Sequence, residues 1–227
     1  MFQASTSTPS LEARVFFRNL KAPLYDLLTG YASSNQRKKN AYIFLPGEKS
    51  QNIYFIQKGR IKISGYSGDG KEVIKNILYP GDILGENCIF GETKREDFAM
   101  ALDPEVRYFS VGKTEFLGLL ERCPMLRMEL LRHIGSKLQK MESRLESYAF
   151  QDSRSRVIDF IRFSARKRRP HMRYGILLKP FLTHQEIAGA TDTSRQTVTT
   201  VLNSLKESNL IEFDRKSMFI KDLEKLA

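Results

Sequence analysis

No apolar run in this 227-residue chain approaches the roughly 20 residues that a membrane-spanning helix needs. The N-terminus is polar and lacks a charged segment leading into an apolar one, so no secretion signal is read there. A cytoplasmic protein is expected. Cysteine occurs only at Cys88 and Cys123, too few for a disulfide framework and not spaced as metal ligands. Both read as buried thiols in a reducing compartment, with a redox-active pair as the alternative. No P-loop, nucleophile elbow or zinc-protease motif is present. An enzyme is therefore not expected, nor is a metal or cofactor. Carboxylates are also in deficit, 26 against 37 Lys and Arg, which gives a net charge of +11 and suits a polyanionic partner. The excess is steeper from Phe150 onward, fifteen against nine, than before it, twenty-two against seventeen.

The most informative stretch runs from Leu182 to Leu205 and reads as two short helices joined by a tight turn. Thr183 with Glu186 three residues later forms a capping box for the first helix, and Thr193 with Gln196 repeats the pattern for the second. Ala190-Thr-Asp192 makes the turn, with Asp192 tolerating a positive φ. Val198, Val201, Leu202 and Leu205 fall at i, i+3, i+4 and i+7 and define an inward face. The opposite face carries Arg195, Gln196, Thr199, Thr200 and Asn203, all hydrogen-bonding and none acidic. Arg and Gln can make bidentate contacts with base edges in a major groove, whereas a carboxylate would be repelled by phosphate. Two short apolar strands, Leu210–Phe213 and Met218–Ile220, flank the polar turn Asp214–Ser217 and read as the wing of a winged helix-turn-helix. The plain alternative is a helical hairpin with a solvated polar face. The paired caps, the acid-free face and the basic hairpin favour double-stranded DNA.

Upstream, Met1–Ser10 is Ser/Thr-rich, and 11–31 reads as one or two short helices. From about Arg37 the texture changes to short strands at Tyr42–Leu45, Ile53–Ile56, Arg60–Ser64, Val73–Leu78 and Val106–Ser110. Gly and Pro turns separate them, the hairpin signal Ser67-Gly-Asp-Gly70 among them, as in an antiparallel barrel or jelly roll. Thr114–Leu120 reads as a short helix, and Pro124 opens a long one. Along it Leu131, Ile134, Leu138, Met141, Leu145 and Tyr148 are spaced 3, 4, 3, 4, 3, an a/d seam on a charged helix. A helix lying on its own domain is the alternative. The strict seam favours self-pairing, and a parallel homodimer suits a reader of two half-sites. Phe150–Ser153 interrupts the seam, and Asp152 or Ser153 can cap a new helix from Arg154 to Ala165. Arg166–Arg169 is a basic cluster, either matched to a helix dipole or set against phosphate. Tyr174–Leu178 reads as a further strand. The expected architecture is α+β: a β-roll sensor over 11–123, a dimerisation helix over 124–149, a hinge at 150–153 and a winged helix-turn-helix over 154–227.

With these parts in order the chain resembles the cyclic-AMP receptor protein / fumarate-nitrate reduction regulator (CRP/FNR) family over Phe16 to Ile220. Lys58-Gly-Arg-Ile-Lys-Ile-Ser64, Gly70-Lys-Glu72 and Pro80-Gly-Asp-Ile-Leu-Gly-Glu86 are similar to its sensor signature. Ser194-Arg-Gln-Thr-Val198 is similar to the start of its recognition helix. The resemblance implies that Arg195 reads a guanine and that His184, Gln185, Ser194 and Thr197 touch phosphates. Gln196 and Thr200 stand where cyclic-AMP receptors usually have Glu and Arg, so the operator need not be theirs. Family members commonly carry Gly where Asp192 stands.

In cyclic-AMP binders a Gly-Glu pair holds the ribose and an Arg-Ser/Thr-Ala segment holds the cyclic phosphate. Gly85 and Glu86 match the first, but the second reads Glu96-Asp-Phe-Ala99. Like charges about 4 Å apart cost about 4 kcal/mol at an effective dielectric near 20, so cyclic AMP is not expected to bind. Arg95 is a candidate to neutralise Glu86 or reach a ligand. There is no cysteine cluster for an iron-sulfur centre, and His133, His171 and His184 lie outside the barrel sequence, which also argues against a haem or a cupin-type metal.

The expected function is a homodimeric regulator reading an inverted repeat through a recognition helix at 193–206, competent without cyclic AMP. The alternative is a cyclic-nucleotide or other small-molecule sensing module whose DNA binding requires an unidentified effector. By resemblance, Arg169–Lys179 is where some relatives touch RNA polymerase.

Overall fold

The computed structural model describes residues 28, 30–68, 70, 72–167, 171–172, 175–214 and 217–226. Most of the helical stretch expected over 11–31 (residues 11–27 and 29), part of the basic cluster (Arg168 and Arg169), Tyr174, and Arg215 and Lys216 of the wing turn lie outside them.

Eight strands come first: β1 Ser33–Lys38, β2 Tyr42–Phe44, β3 Asn52–Lys58, β4 Ile61–Tyr66, β5 Glu72–Leu78, β6 Ile83–Leu84, β7 Phe98–Ala101 and β8 Glu105–Gly112. They form two sheets, in the orders β1-β8-β3-β6 and β2-β7-β4-β5. The pairings of β1 with β8, β3 with β8, β3 with β6 and β2 with β7 are antiparallel.

The unbroken apolar run Ile53–Ile56 follows from burial on both faces of β3. Ile53 and Phe55 point to one side, into a cluster with Phe116, Leu119, Leu126 and Leu130 of the following helices. Ile56, with Tyr54 packed against it, points to the other side, toward Phe44, Leu84, Ala99 and Tyr108. The sequence-read strands correspond to β2–β5 and β8. Strands β1 and β7 and the two-residue β6 were not anticipated. β1, Ser-Ser-Asn-Gln-Arg-Lys, contains no apolar residue and is held by its register with β8, Ser33 opposite Ser110 through Lys38 opposite Glu105.

Helices α1 (Lys113–Arg122) and α2 (Pro124–Phe150) follow. The chain then stops being helical for two residues and resumes in α3, Ser153–Lys167, which is the interruption read at 150–153. Asp152 accepts the Ser155 N–H at 2.7 Å, and that bond, acting with the Ser155 side chain, holds its carboxyl below the usual range. The remaining elements are β9 His171–Met172, β10 Gly175–Leu178, α4 His184–Thr191, α5 Arg195–Glu207, β11 Ile211–Phe213 and β12 Met218–Ile220. The last sheet runs β11-β12-β10-β9 with every pair antiparallel.

Two units result. One holds the residues up to Ile63 with Ile77–Ser136, and the other holds Ser64–Asn76 with the residues from Lys137 on. In the second unit Val157, Ile161, Leu178, Ile187, Val198 and Leu202 are fully or almost fully buried. A Cβ added at Gly189 in α4 would stand 3.1 Å from the side chain of Ile74 of β5, also buried, and Arg144 donates to the Lys75 carbonyl at 2.6 Å.

Candidate nucleic-acid interface

The helix-turn-helix begins at the predicted capping box. The Thr183 hydroxyl accepts the Glu186 N–H at 3.2 Å, and the Glu186 carboxylate accepts the Thr183 N–H at 2.7 Å. Asp192 closes α4 at φ 49, ψ 56, and its N–H donates to the Ala188 carbonyl. A side chain is thus accepted where glycine would be easier.

The cap of the second helix differs from the expectation. Ser194, not Thr193, is the N-cap: its hydroxyl accepts the Thr197 N–H at 2.9 Å, and Gln196 takes no part. The Thr193 N–H is already bonded to Ala188 at 3.0 Å, so the turn runs one residue further and α5 starts at Arg195 rather than 193.

On α5, Val198, Val201, Leu202 and Leu205 are buried as the spacing required. Arg195, Gln196, Thr200 and Asn203 are exposed, and no carboxylate stands among them. Thr199 is half-buried and already engaged. Its hydroxyl donates to the Arg195 carbonyl at 2.9 Å and lies 2.9 Å from His184 Nδ1. Because the single hydroxyl hydrogen goes to Arg195, His184 carries its hydrogen on Nδ1 and donates it to Thr199. Burial and then the neighbouring Arg195 charge lower the His184 pKa, so at neutral pH its Nε2 is an acceptor. A neutral His184 cannot offer Nε2–H to a phosphate until it takes up a proton. Gln185 and Ser194 are exposed, and the half-buried Thr197 lies 2.9 Å from the Ser194 hydroxyl.

Sequence reasoning missed Arg156. From α3 its guanidinium donates to the carbonyls of Thr191 at 3.0 Å, Asp192 at 3.1 Å and Gln151 at 3.0 Å, and it lies 5.5 Å from the centre of the Tyr148 ring. It ties the end of α2 to the turn of the helix-turn-helix. Nothing in the sequence distinguishes it from its basic neighbours. The wing is closed by Asp214, which accepts the Ser217 N–H at 2.7 Å and the Ser217 hydroxyl at 2.9 Å. Lys206 of α5 lies over the Phe213 ring at 5.5 Å.

Along α2 the predicted seam separates into two kinds of residue. Leu131, Leu138, Met141 and Leu145 are exposed, between 57% and 67%, with Tyr148 at 37%. Ile134 is half-buried and packs on the core of its own unit, against the cluster that includes Leu126 and Leu130.

In the first unit Gly85, Glu86 and Arg95 come together, but not as expected. Arg95 pairs with Glu92 at 2.9 Å and not with Glu86, whose buried carboxylate lies 3.6 Å from His133 Nε2 on α2. His133 thus stands outside the strands in sequence yet reaches the roll. Cys88 is buried, which pushes its thiol pKa up, and Cys123 is half-buried. Among the described residues no group of His, Cys, Asp and Glu could hold a metal ion, and no helix is long and apolar enough to cross a membrane.

A roll of short strands, a long helix and a winged helix-turn-helix together define a two-part regulator of transcription. The cyclic nucleotide-binding domain family matches residues 35–123, and the Crp-like helix-turn-helix domain family matches 155–227. The chain is 31% identical over 189 residues to the global nitrogen regulator of Synechococcus elongatus, covering 82% of this chain and 84% of that one. It is 29% identical over 185 residues to a CRP-like cAMP-activated global transcriptional regulator of Mycobacterium tuberculosis, covering 82% of each. The fold is shared with a CRP/FNR-family regulator of Thermus thermophilus, at TM-score 0.70, 24% identity, 86% of this chain and 96% of that one. It is also shared with the c-di-GMP-responsive regulator CLP of Xanthomonas campestris, at TM-score 0.75, 16% identity, 89% of this chain and all of that one. This chain belongs to the CRP/FNR family of transcription regulators and carries that family's DNA-binding helix-turn-helix.

Proposed function

We propose that the protein works as a homodimer that reads an inverted-repeat operator through α5 and does not depend on cyclic AMP. The observation that carries this reading is the exposed, carboxylate-free face of Arg195, Gln196, Thr200 and Asn203, backed by a fully buried apolar face on the same helix. Arg195 and Gln196 stand in the first turn of α5, where the helix dipole also favours an anion. Gln185, Ser194 and Thr197 flank them as phosphate contacts. His184 joins these only when protonated, and Thr199 positions His184 rather than reading a base.

The working parts are a sensor through Cys123, a pairing helix over 124–149, a hinge at 150–153 and a DNA-binding domain over 154–227. Two protomers paired along α2 would present their α5 helices to major grooves about one helical turn, ~34 Å, apart. A change in the sensor would act by shifting the hinge, where Arg156 holds Gln151 and the turn residues together. RNA polymerase is the further partner we assign to 169–179, on family likeness alone. The match of 35–123 to a cyclic nucleotide-binding family favours a second reading, in which an unidentified small molecule is required for DNA binding.

Selection of bound genomic fragments by the purified protein yields the operator on which the proposal is tested. Arg195→Ala should then lower affinity for that operator by about 1–3 kcal/mol, roughly 5- to 150-fold, and affinity for random DNA far less. Titration of labelled duplexes at fixed salt reads both numbers. Equal losses on the two DNAs would leave Arg195 a phosphate contact and remove the base-reading role.

A further inference from the structure

The interior of the β-roll holds a cation that the chain supplies itself. Arg95 lies between the two sheets, with its guanidinium 4.5 Å from the ring centre of Phe44 on β2 and 5.8 Å from that of Tyr54 on β3. Nη1 donates to the Gly85 carbonyl at 3.1 Å and to the Glu92 carboxylate at 2.9 Å, and Nη2 donates to the Asn52 carbonyl at 2.6 Å. Glu92 also accepts the Ser50 hydroxyl. Arg95 is only 4% exposed. The turn is shaped around it: Gly85 sits at φ +83, and a Cβ there would stand 2.7 Å from the Asn52 oxygen and 2.9 Å from Arg95 Nη2.

These groups share one chemistry. Nη1 and Nη2 meet only acceptors, two carbonyls and a carboxylate, Nε is buried with no hydrogen-bond partner among the described residues, and the flanking groups are aromatic faces. A planar, delocalised cation with donors along two edges satisfies such a cage, which a compact ammonium or a phosphate does not. We propose that the roll contains a guanidinium-binding site whose resident ligand is Arg95. The protein is then self-liganded, and this occupancy holds it in its DNA-binding state. The second part rests on the reading of the protein as a DNA-binding regulator that works without an added effector, and the first part does not.

Truncation of the side chain tests both. Full-length Arg95→Ala should melt below the wild type and be restored saturably by ethylguanidinium at roughly millimolar concentration. Ethylammonium at equal ionic strength and cyclic AMP should have no such effect, and the wild type should respond to none of the three. If Arg95→Ala does not fold on expression, refolding from urea with and without ethylguanidinium gives the same reading, with recovery expected only in its presence. No saturable response, an equal response to ethylammonium, or an equal response of the wild type would overturn the site.

For the second part, operator affinity of Arg95→Ala should rise about tenfold or more when ethylguanidinium saturates it. Wild-type operator affinity with no addition would overturn the regulatory role. A wild-type protein that prefers no selected fragment over random DNA would refute the DNA-reading proposal, while the melting and refolding assays stay interpretable.

Discussion

Leu138→Asp combined with Leu145→Asp should leave the protein monomeric and lower its affinity for an inverted-repeat operator by about 10²- to 10⁴-fold. That is the gain which linking two binding modules ordinarily provides. The two leucines are 57% and 67% exposed on α2, in line with Leu131 at 60% and Met141 at 57%. Four large apolar side chains along one helix face are more than a solvated helix needs, and they repeat at a/d spacing. Burying a leucine stabilises by about 1.5–3 kcal/mol, so pairing this face with its copy removes the largest cost in the second half of α2. A symmetric parallel pair would then place the introduced aspartates opposite each other, four charges in a dry seam. Both leucines are exposed within their own chain, so the substitutions should leave each protomer folded. Light scattering reads the assembly, circular dichroism the fold, and operator titration the affinity. A dimer that survives both aspartates would move the interface off α2.

The exposed apolar row on α2 was legible because a helix repeats its faces every three to four residues, and so was the buried face of α5. Ile134 shows the limit of such a pattern. It keeps the spacing, yet the core near Leu126 and Leu130 claims it, because α2 up to Ser136 belongs to the first unit and Ile134 packs on that unit's core. Spacing gives a face, not what the face meets. Strand β1 was illegible for the opposite reason, since its six polar residues pair with β8 through backbone groups that carry no side-chain signal.

Within the candidate interface, local chemistry was readable where one residue alone could do the task. Thr183 is the only hydroxyl placed to cap α4, and it does. Thr193 and Ser194 are adjacent hydroxyls, and the choice fell to how far the Asp192 turn carries the chain. Thr199 looked like a base reader from its face alone. Its hydroxyl, however, can return to the carbonyl four residues back, as threonine in helices tends to do, and His184 completes that arrangement. Arg95 reads as out of register for a cyclic-phosphate contact and as a candidate to neutralise Glu86, whereas it pairs with Glu92. Its true partner could not be read, because the loop from Gly91 to Asp97 has no period from which to infer direction.

Asp103→Ala should destabilise the protein by about 3–5 kcal/mol, the usual result of leaving one member of a buried ion pair without the other. Arg60 and Asp103 are 4% and 7% exposed. The Asp103 carboxylate accepts the Arg60 backbone N–H at 2.9 Å, Nε at 3.1 Å and Nη2 at 2.6 Å, which joins the turn after β3 to the turn between β7 and β8. Three directional bonds converge there, beside Gly59, whose φ of +75 and 2.4 Å approach of a virtual Cβ to the Glu105 carbonyl exclude any other residue. The pair's net worth is a separate matter from the cost of breaking it. Two charges withdrawn from water are costly before they attract each other, so Arg60→Met with Asp103→Leu should recover most of the loss. Urea unfolding of Arg60→Met, of Asp103→Leu and of the double variant measures the coupling directly. A single Asp103→Ala variant within about 1 kcal/mol of the wild type would mean that Arg60 reaches water once released, and that the Leu102 N–H to Arg60 carbonyl bond at 2.9 Å holds the two turns without the carboxylate.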